Sequence, residues 1–243
     1  MLRSRSQRCV LAWLLGLMVL CGQATEARWF GSRYSPRDAE RQRRARTDYI
    51  ILHTTEGPAQ GSLQKLRQNG EAHFLVDRNG RVYMIIRQEK IAYHAGRSMW
   101  NGRENIDACS IGIEVVGTYN GTVTEAQCGA LKRLLGNLKR AYKVSDDHVL
   151  THSMVAYGGA NRWFSRSHRG RKRCGMLFAN PTLRLKLGLD AQPRYDPDVT
   201  AGRLTVADPY LARMLYPGAR SQKRRATSSS AASLRASRSK PRR

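Results

Sequence analysis

Histidine, cysteine and carboxylate side chains near the ends of apolar runs are the residues of this sequence best suited to bind a metal. Six histidines are present, at positions 53, 73, 94, 148, 152 and 168. His53 directly follows the apolar run 49–52, and His152 follows a short run ending at residue 151. A strand end holds a side chain rigidly while leaving its tip accessible, which a metal site requires. Position alone also allows the plainer interpretation of two hydrogen-bonded core histidines.

Short strands and one amphipathic helix are the elements that would position these residues. Residues 49–52 suit a buried strand, and residues 73–76 and 81–86 flank an Asn-Gly turn that predicts a hairpin. In residues 110–116 the apolar side chains alternate, so Glu114 points away from the apolar face. Thr124, with Gln127 three residues later, predicts a capping box and the start of a helix. The pattern predicts an α/β fold with a central mixed sheet flanked by helices.

The chain is strongly basic, with 43 Lys and Arg against 18 Asp and Glu and a formal net charge of +25. Such a charge predicts a polyanionic partner. Residues 28–47 are rich in arginine without an apolar period and are predicted to be a basic linker or loosely packed arm. Residues 219–243 are predicted to be a disordered basic tail, because little apolar surface offsets the entropy of ordering. Between them, 48–190 is predicted as one folded domain and 191–218 as a C-terminal extension.

The first 27 residues are predicted to be an export signal. Basic residues precede the apolar stretch 10–20, and the small residues Ala24 and Ala27 suit cleavage. The apolar stretch is shorter than the roughly 20 residues of a membrane-spanning helix, so no transmembrane anchor is expected after cleavage. Lipidation of Cys21 is disfavoured because the bulky Leu20 precedes it. The expected location is the periplasm, the extracellular space or the cell wall, where anionic envelope polymers are available to the basic tails.

Five motifs in a fixed order carry a resemblance to a known family. They are IILHTTEG, HFLVDRNGRVY, AYHAGRSMWNGRENIDACSIGIEVVG, VLTHS and GRKRCGMLF. Over residues 48–187 the chain resembles the zinc-dependent N-acetylmuramoyl-L-alanine amidases (amidase type 2), which are related to the peptidoglycan recognition proteins. The resemblance implies the fold of that family, with 48–190 as the catalytic domain. It also implies hydrolysis of the amide bond between N-acetylmuramic acid and L-alanine, with peptidoglycan or muropeptides as partners.

The resemblance further implies a Zn²⁺ cofactor. His53 and His152 match the two histidine ligands of the family, and Cys174 lies where the third ligand falls, commonly Asp and in some members Cys. Two imidazoles and one thiolate leave a fourth tetrahedral position for water, which is typical of catalytic zinc. Zinc can lower the pKa of its bound water to about 7, so that hydroxide is available at neutral pH.

Two charged residues match the catalytic groups of the family. Glu114 matches the acid that takes a proton from the zinc water and passes it to the leaving nitrogen. Lys172 matches the lysine that would stabilise the oxyanion of the tetrahedral intermediate. The plainer interpretations are a solvated strand carboxylate and one solvated lysine of a basic run. His94 matches a substrate-contacting histidine, and Trp100 and Asn105 are predicted to line the same groove.

The sequence departs from the family pattern between the last two ligands. Residues 153–173 are longer and more basic than usual, and Gly-Met replaces the expected Pro-Gly after Cys174. His168 within this insertion is therefore a rival third ligand. Cys174 is preferred because Lys172 and Phe178 keep the family spacing around it. Arginines of the insertion are predicted to attract carboxylates of stem peptides or of neighbouring polymers by a salt-sensitive effect; these are Arg162, Arg166, Arg169 and Arg171.

Two other functions are open to a chain of this composition. A protein of the same fold that binds peptidoglycan without cutting it would lack a zinc ligand, whereas all three are present here. The basic tails could bind nucleic acid without sequence preference, but the export signal argues against a specific nucleic-acid partner. Signal removal would leave Cys109, Cys128 and Cys174. The first two either form a disulfide or stay reduced, with Cys128 as a small hydrophobic residue on the helix.

Overall fold

The computed structural model describes residues 30–217, within which it has eleven strands and six α-helices. The strands are β1 (Phe30–Ser32), β2 (Tyr49–Thr54), β3 (Phe74–Val76), β4 (Val82–Met84), β5 (Met99–Trp100), β6 (Arg103–Glu104), β7 (Ser110–Val115), β8 (Val149–Thr151), β9 (Tyr157–Gly158), β10 (His168–Arg169) and β11 (Thr205–Val206). The helices are α1 (Ala59–Asn69), α2 (Glu125–Tyr142), α3 (His152–Val155), α4 (Pro181–Lys186), α5 (Pro197–Thr200) and α6 (Pro209–Leu215). None of these six helices is long and apolar enough to cross a bilayer. The predicted export signal and basic tail lie outside the described residues.

A mixed six-stranded sheet forms the centre of the described part of the chain, in the order β1–β4–β3–β7–β2–β8. Strand β2 is entirely buried and runs parallel to both of its neighbours, β7 and β8. Strands β3 and β4 form the antiparallel hairpin that the Asn-Gly turn predicts. Because the carboxyl ends of parallel strands meet at one edge of a sheet, β2, β7 and β8 bring His53, Glu114 and His152 to the same edge.

The two faces of the sheet carry separate cores, because side chains alternate along each strand. Ile50 and Leu52 of β2 belong to the core beneath helix α2. Ile51 belongs to the core on the other face. His53 and Glu114 are register partners that share this second face. The predicted α/β fold with helices flanking a mixed sheet is therefore confirmed, and the site lies on the face opposite α2.

Helix α2 covers the first face and begins as the sequence predicts. The Thr124 hydroxyl accepts from the backbone N–H of Gln127, and the Gln127 side-chain oxygen accepts from the N–H of Thr124, both at 3.1 Å. The helix buries Cys128 in the core of this face. Cys109 packs in the core of the opposite face, and both thiols are free. The alternative of a Cys109–Cys128 disulfide is therefore wrong, because the sheet separates the two residues.

The N-terminal segment is integrated into the fold, so the prediction of a linker or loosely packed arm over 28–47 is wrong for residues 30–47. Strand β1 pairs in parallel with β4. The buried Asp38 carboxylate accepts the backbone N–H and the guanidinium N–H of Arg87, both at 2.8 Å. Arg44 donates to the carbonyl oxygens of Gln88 and Lys90, both at 2.6 Å. An ion pair and hydrogen bonds from arginine side chains hold this segment. Such polar contacts leave no apolar periodicity in the sequence.

The basic insertion and the C-terminal extension fold against each other. Strand β10 pairs with β9 of the insertion and with β11 of the extension. Arg169 is 6% exposed, and its guanidinium contacts Asp196 at 2.6 Å and Asp198 at 2.9 Å. Its inclusion among arginines that attract substrate carboxylates is therefore wrong, because both of its partners are internal. Arg162 and Arg166 are exposed.

Candidate metal centre and active site

Three potential metal ligands converge at the edge where β2 and β8 end. His53 lies on β2, His152 begins α3 directly after β8, and Cys174 lies in the loop that follows the insertion. One donor atom from each of the three lies within 4.8 Å of the other two, and Cys174 Sγ is 3.8 Å from His53 Nδ1. Zinc bonds of about 2.0 to 2.3 Å hold donors in a cluster of this size.

The rival ligand His168 lies apart from this cluster. It is buried on β10, with its Nδ1 atom 3.2 Å from the carbonyl oxygen of Arg166. Its ring packs on Phe164 with 4.2 Å between ring centroids. The geometry therefore favours Cys174 over His168 as the third ligand.

The histidine nitrogens that face the cluster fit a metal. His152 Nδ1 is buried and has no hydrogen-bond partner among the residues that the structure describes, whereas its Nε2 lies 3.2 Å from the carbonyl oxygen of Ala95. His53 Nε2 lies 3.1 Å from His94 Nδ1, which leaves Nδ1 for the cluster. Burial lowers the pKa of His53 well below its usual value and that of His152 to about 4. Both rings are therefore neutral at pH 7, the form that binds metals.

The backbone of Thr54 fixes the Cys174 thiol. Sγ lies 3.4 Å from both the N–H and the carbonyl oxygen of Thr54, and the next N–H, of Gly175, donates to the Thr54 hydroxyl at 2.9 Å. Gly175 has φ of +74°, and an added Cβ would lie 2.3 Å from the Leu52 carbonyl oxygen. Burial, with a contribution from the Glu114 charge, raises the pKa of Cys174 to about 12. Metal binding must therefore displace the thiol proton.

Glu114 lies beside the cluster with one oxygen uncommitted. Its Oε1 atom is 3.7 Å from His53 Nδ1, and its Oε2 atom is buried with no hydrogen-bond partner within residues 30–217. Burial, and then the charge of Glu56, raise the pKa of Glu114 to about 8. A carboxyl group in this range can accept and release a proton near neutral pH. This environment differs from the solvated carboxylate of the plainer interpretation.

Thr54 and Glu56 are site residues that the sequence analysis did not single out. The Thr54 hydroxyl donates to Glu56 Oε1 at 2.5 Å, and Glu56 has a positive φ of 54°. Their signal was the polar run that directly follows His53 in HTTEG. Lys172 is exposed. Burial of the ring is the largest cause of the low pKa of His152, and the hydrogen bond to Ala95 opposes it by raising that pKa. The positive charge of Lys172 lowers the pKa further.

The three residues predicted to form a substrate groove differ in their positions relative to the cluster. His94 has a fully buried side chain behind His53 rather than in an open groove. Trp100 is 6% exposed and lines a cleft with Tyr49, at the start of β2. Asn105 is exposed and precedes the turn that leads into the start of β7. Trp100 and Asn105 therefore lie near the starts of β2 and β7, and their contact with substrate stays a prediction.

The fold and the site together define an α/β protein with a His-His-Cys cluster suited to a metal and a carboxyl group beside it. The family model of the N-acetylmuramoyl-L-alanine amidases matches residues 43–174, more than half of the chain. The chain belongs to this family. The match begins within the N-terminal segment and ends at Cys174.

Individual relatives share parts of the chain. The 1,6-anhydro-N-acetylmuramyl-L-alanine amidase AmpD of Haemophilus influenzae is 35% identical over 86 residues, which are 35% of this chain and 47% of that protein. The N-acetylmuramoyl-L-alanine amidase AmiD of Escherichia coli is 27% identical over 165 residues, 59% of this chain and 60% of that protein. The chain thus spans about half the length of the AmpD relative. A solved complex of Escherichia coli AmiD with the substrate anhydro-N-acetylmuramic acid-L-Ala-D-gamma-Glu-L-Lys is 26% identical, covers 49% of this chain and 54% of that chain, and superposes with a TM-score of 0.41.

Proposed function

We propose that this chain is a zinc-dependent N-acetylmuramoyl-L-alanine amidase, which hydrolyses the amide bond between N-acetylmuramic acid and L-alanine of peptidoglycan. The observation that carries the proposal is the carboxyl group of Glu114, 3.7 Å from a nitrogen of His53 in the His-His-Cys cluster. Membership of the amidase family supports the substrate class. The assignment of zinc rests on the donor set, because two imidazoles and a thiolate are ligands that zinc prefers.

His53, His152 and Cys174 are proposed to hold the ion. A bound zinc ion supplies a Lewis acid and lowers the pKa of water at its open position to about 7. The neutral imidazoles offer lone pairs without first losing a proton, which favours binding at pH 7. The ligands approach from strand ends and from a loop held by Thr54, so their positions are fixed before substrate binds.

Glu114 is proposed to move the proton. Its Oε2 atom has no hydrogen-bond partner in the described part of the chain, so it can accept a proton from the attacking water and then donate it to the nitrogen of the leaving L-alanine. In the metal-free protein burial raises the pKa of Glu114 to about 8, and a buried carboxyl group beside the water can both accept and release a proton. Lys172, exposed beside the third ligand, is proposed to stabilise the negative charge that develops on the carbonyl oxygen.

Export and wall binding complete the proposal. The basic start, the apolar stretch 10–20 and the small residues after it support an exported protein. Peptidoglycan or muropeptides are the proposed substrates, and anionic envelope polymers are proposed to contact the basic tails. The alternative of a recognition protein that binds peptidoglycan without cutting it is disfavoured, because the three ligands and Glu114 are all retained at one edge of the sheet.

The test is to incubate the mature protein with purified peptidoglycan, with and without a chelator, and to identify the products by mass spectrometry. Intact glycan strands with free peptides beginning at L-alanine, lost on chelation and regained with zinc, are the expected result. The Glu114→Gln variant is the matched control, because it keeps the three ligands and loses the proton-transferring group.

Two other outcomes would redirect the assignment. Cut glycan strands would indicate a glycosidase and contradict the proposal. Binding to peptidoglycan without any released product, in protein shown to contain zinc, would instead support the recognition protein.

A further inference from the structure

We propose that Asp107 is a positioning residue for the metal centre, acting through a two-residue segment, His94–Ala95, that orients both histidine ligands. The inference rests on the metal site of the proposed function. It assigns a role to a carboxylate that contacts none of the three ligands and that no family motif marked as functional.

Asp107 fixes the backbone of the segment. Its Oδ1 atom accepts the N–H of His94 at 2.9 Å and the N–H of Ala95 at 2.7 Å. The residue is 4% exposed, so these bonds are shielded from solvent. Hydrogen bonds to a charged acceptor are roughly twice as strong as neutral ones. The peptide N–H groups of His94 and Ala95 are therefore both fixed by the same carboxylate oxygen.

The side chain of His94 extends from this point to the first ligand. Ser110 Oγ donates its proton to the Ile106 carbonyl oxygen at 2.7 Å, so it must accept from His94 Nε2 at 3.1 Å. His94 Nδ1 is then an acceptor, and the 3.1 Å contact requires the proton to be on His53 Nε2. This sequence of donors leaves the lone pair of His53 Nδ1 facing Cys174 and Glu114, as a metal ligand requires.

The carbonyl group of Ala95 extends from the same point to the second ligand. Its oxygen lies 3.2 Å from His152 Nε2. Because a carbonyl oxygen only accepts, the proton of His152 is on Nε2, and Nδ1 carries the lone pair. Nδ1 is the buried atom that has no hydrogen-bond partner among residues 30–217. One short segment thus sets the tautomer and the orientation of both rings.

The space around His94 leaves little freedom for the ring. Gly112 of β7 lies directly against it, and an added Cβ at that position would be 2.3 Å from His94 Cγ. The His73 ring also packs against it, with 5.8 Å between ring centroids. With the ring confined in this way, a shift of the backbone at His94 must move the acceptor that His53 uses.

The experiment measures metal affinity rather than turnover. Full-length wild type, Asp107→Ala and Asp107→Asn are stripped of metal, and zinc affinity is determined by competition with a chromophoric chelator. Loss of a residue that orients a ligand typically weakens metal binding about 10- to 100-fold, and this loss is expected for Asp107→Ala. Asp107→Asn should restore most of the affinity, because the amide oxygen can still accept both N–H groups. In protein loaded with cobalt(II) instead of zinc, the absorption bands of the metal should be shifted in Asp107→Ala and should have their wild-type positions in Asp107→Asn.

Two further variants separate positioning from general stability. His168→Ala removes another buried histidine, one that lies outside the cluster, and should leave zinc affinity and the cobalt bands unchanged. If Asp107→Ala does not fold, the pair His94→Ala and His94→Asn decides, because only the asparagine offers an oxygen near the place of Nδ1. Wild-type affinity in a folded Asp107→Ala, or in His94→Ala, would overturn the inference and leave the amidase proposal standing. A wild type that binds no zinc would overturn both.

Discussion

Cys174 Sγ lies 3.8 Å from Nδ1 of His53, although 121 positions separate the two residues along the chain. The contact depends on Thr54, whose backbone N–H and carbonyl oxygen both contact the sulfur. It also depends on Gly175, whose N–H donates to the Thr54 hydroxyl. The third ligand is therefore fixed by the strand that carries the first one, and this arrangement makes the choice between Cys174 and His168 testable.

Replacing Cys174 with alanine is expected to abolish stoichiometric zinc binding. The substitution removes one of the three donors, and the two remaining histidines cannot complete a tight site. His168→Ala should retain one zinc per chain, because that ring contacts the carbonyl oxygen of Arg166 and packs on Phe164, outside the cluster. Metal content of the purified variants, measured by mass spectrometry, checks both statements. Retained zinc in the first variant with loss in the second would reverse the ligand assignment.

The pH dependence of stability in the metal-free protein should report the buried Glu114. Burial, and then Glu56, raise its pKa from the ordinary 4.5 to about 8. Between these values the folded protein keeps a proton that the unfolded chain loses, so the contribution of Glu114 to the free energy of unfolding falls as pH rises from about 4.5 to about 8. Glu114→Gln lacks this proton and should gain stability relative to wild type across that range.

Urea denaturation in the presence of a chelator, repeated at a series of pH values, measures this difference. Below pH 4.5 the two curves should run in parallel, since Glu114 is protonated in both the folded and the unfolded wild type. A constant difference from pH 4 to pH 9 would show that the carboxyl group is not held in its neutral form.

Local pattern was enough to predict the elements that carry the ligands. The Asn-Gly turn, the capping box at Thr124 and the alternation around Glu114 each reflect interactions within a few residues, and all three are present in the structure. The ends of parallel strands then brought His53 and His152 to one edge. These features needed no knowledge of distant contacts.

The parts that the sequence did not predict depend on long-range polar contacts. The pairing of Asp38 with Arg87 integrates the N-terminal segment, and Arg169 with Asp196 holds the C-terminal extension. Neither leaves an apolar period to detect. The motif around His94 likewise marks that residue, but it does not predict that His94 contacts Nε2 of His53 and not the Nδ1 side that faces the cluster.

Gly175→Ala is expected to disturb the site far more than an equivalent change elsewhere. Gly175 has φ of +74°, and a Cβ there would lie 2.3 Å from the Leu52 carbonyl oxygen, so β2 or Cys174 must move. Gly202 has φ of +71° with no atom within 4 Å of an added Cβ. Gly202→Ala should therefore cost only the left-handed backbone penalty of roughly 1 to 2 kcal/mol. Zinc affinity and thermal unfolding are measured for both variants, because both share the backbone strain and only Gly175→Ala adds the clash with Leu52. Equal effects of the two substitutions would contradict the close approach of Gly175 to Leu52.

Arginines of the insertion should divide into a structural residue and binding residues. Arg169→Ala removes the cation paired with the buried Asp196 and leaves the buried Asp198 with Arg203 alone, and it should destabilise the protein by about 3 to 5 kcal/mol. Arg162 is exposed, with its guanidinium 4.7 Å from the centroid of the Trp163 ring. Arg162→Ala should change stability by less than about 0.5 kcal/mol but weaken binding to insoluble cell wall at low salt. Because such attraction is screened, the difference in sedimented protein should shrink as salt rises, and indifference to salt would contradict an electrostatic role.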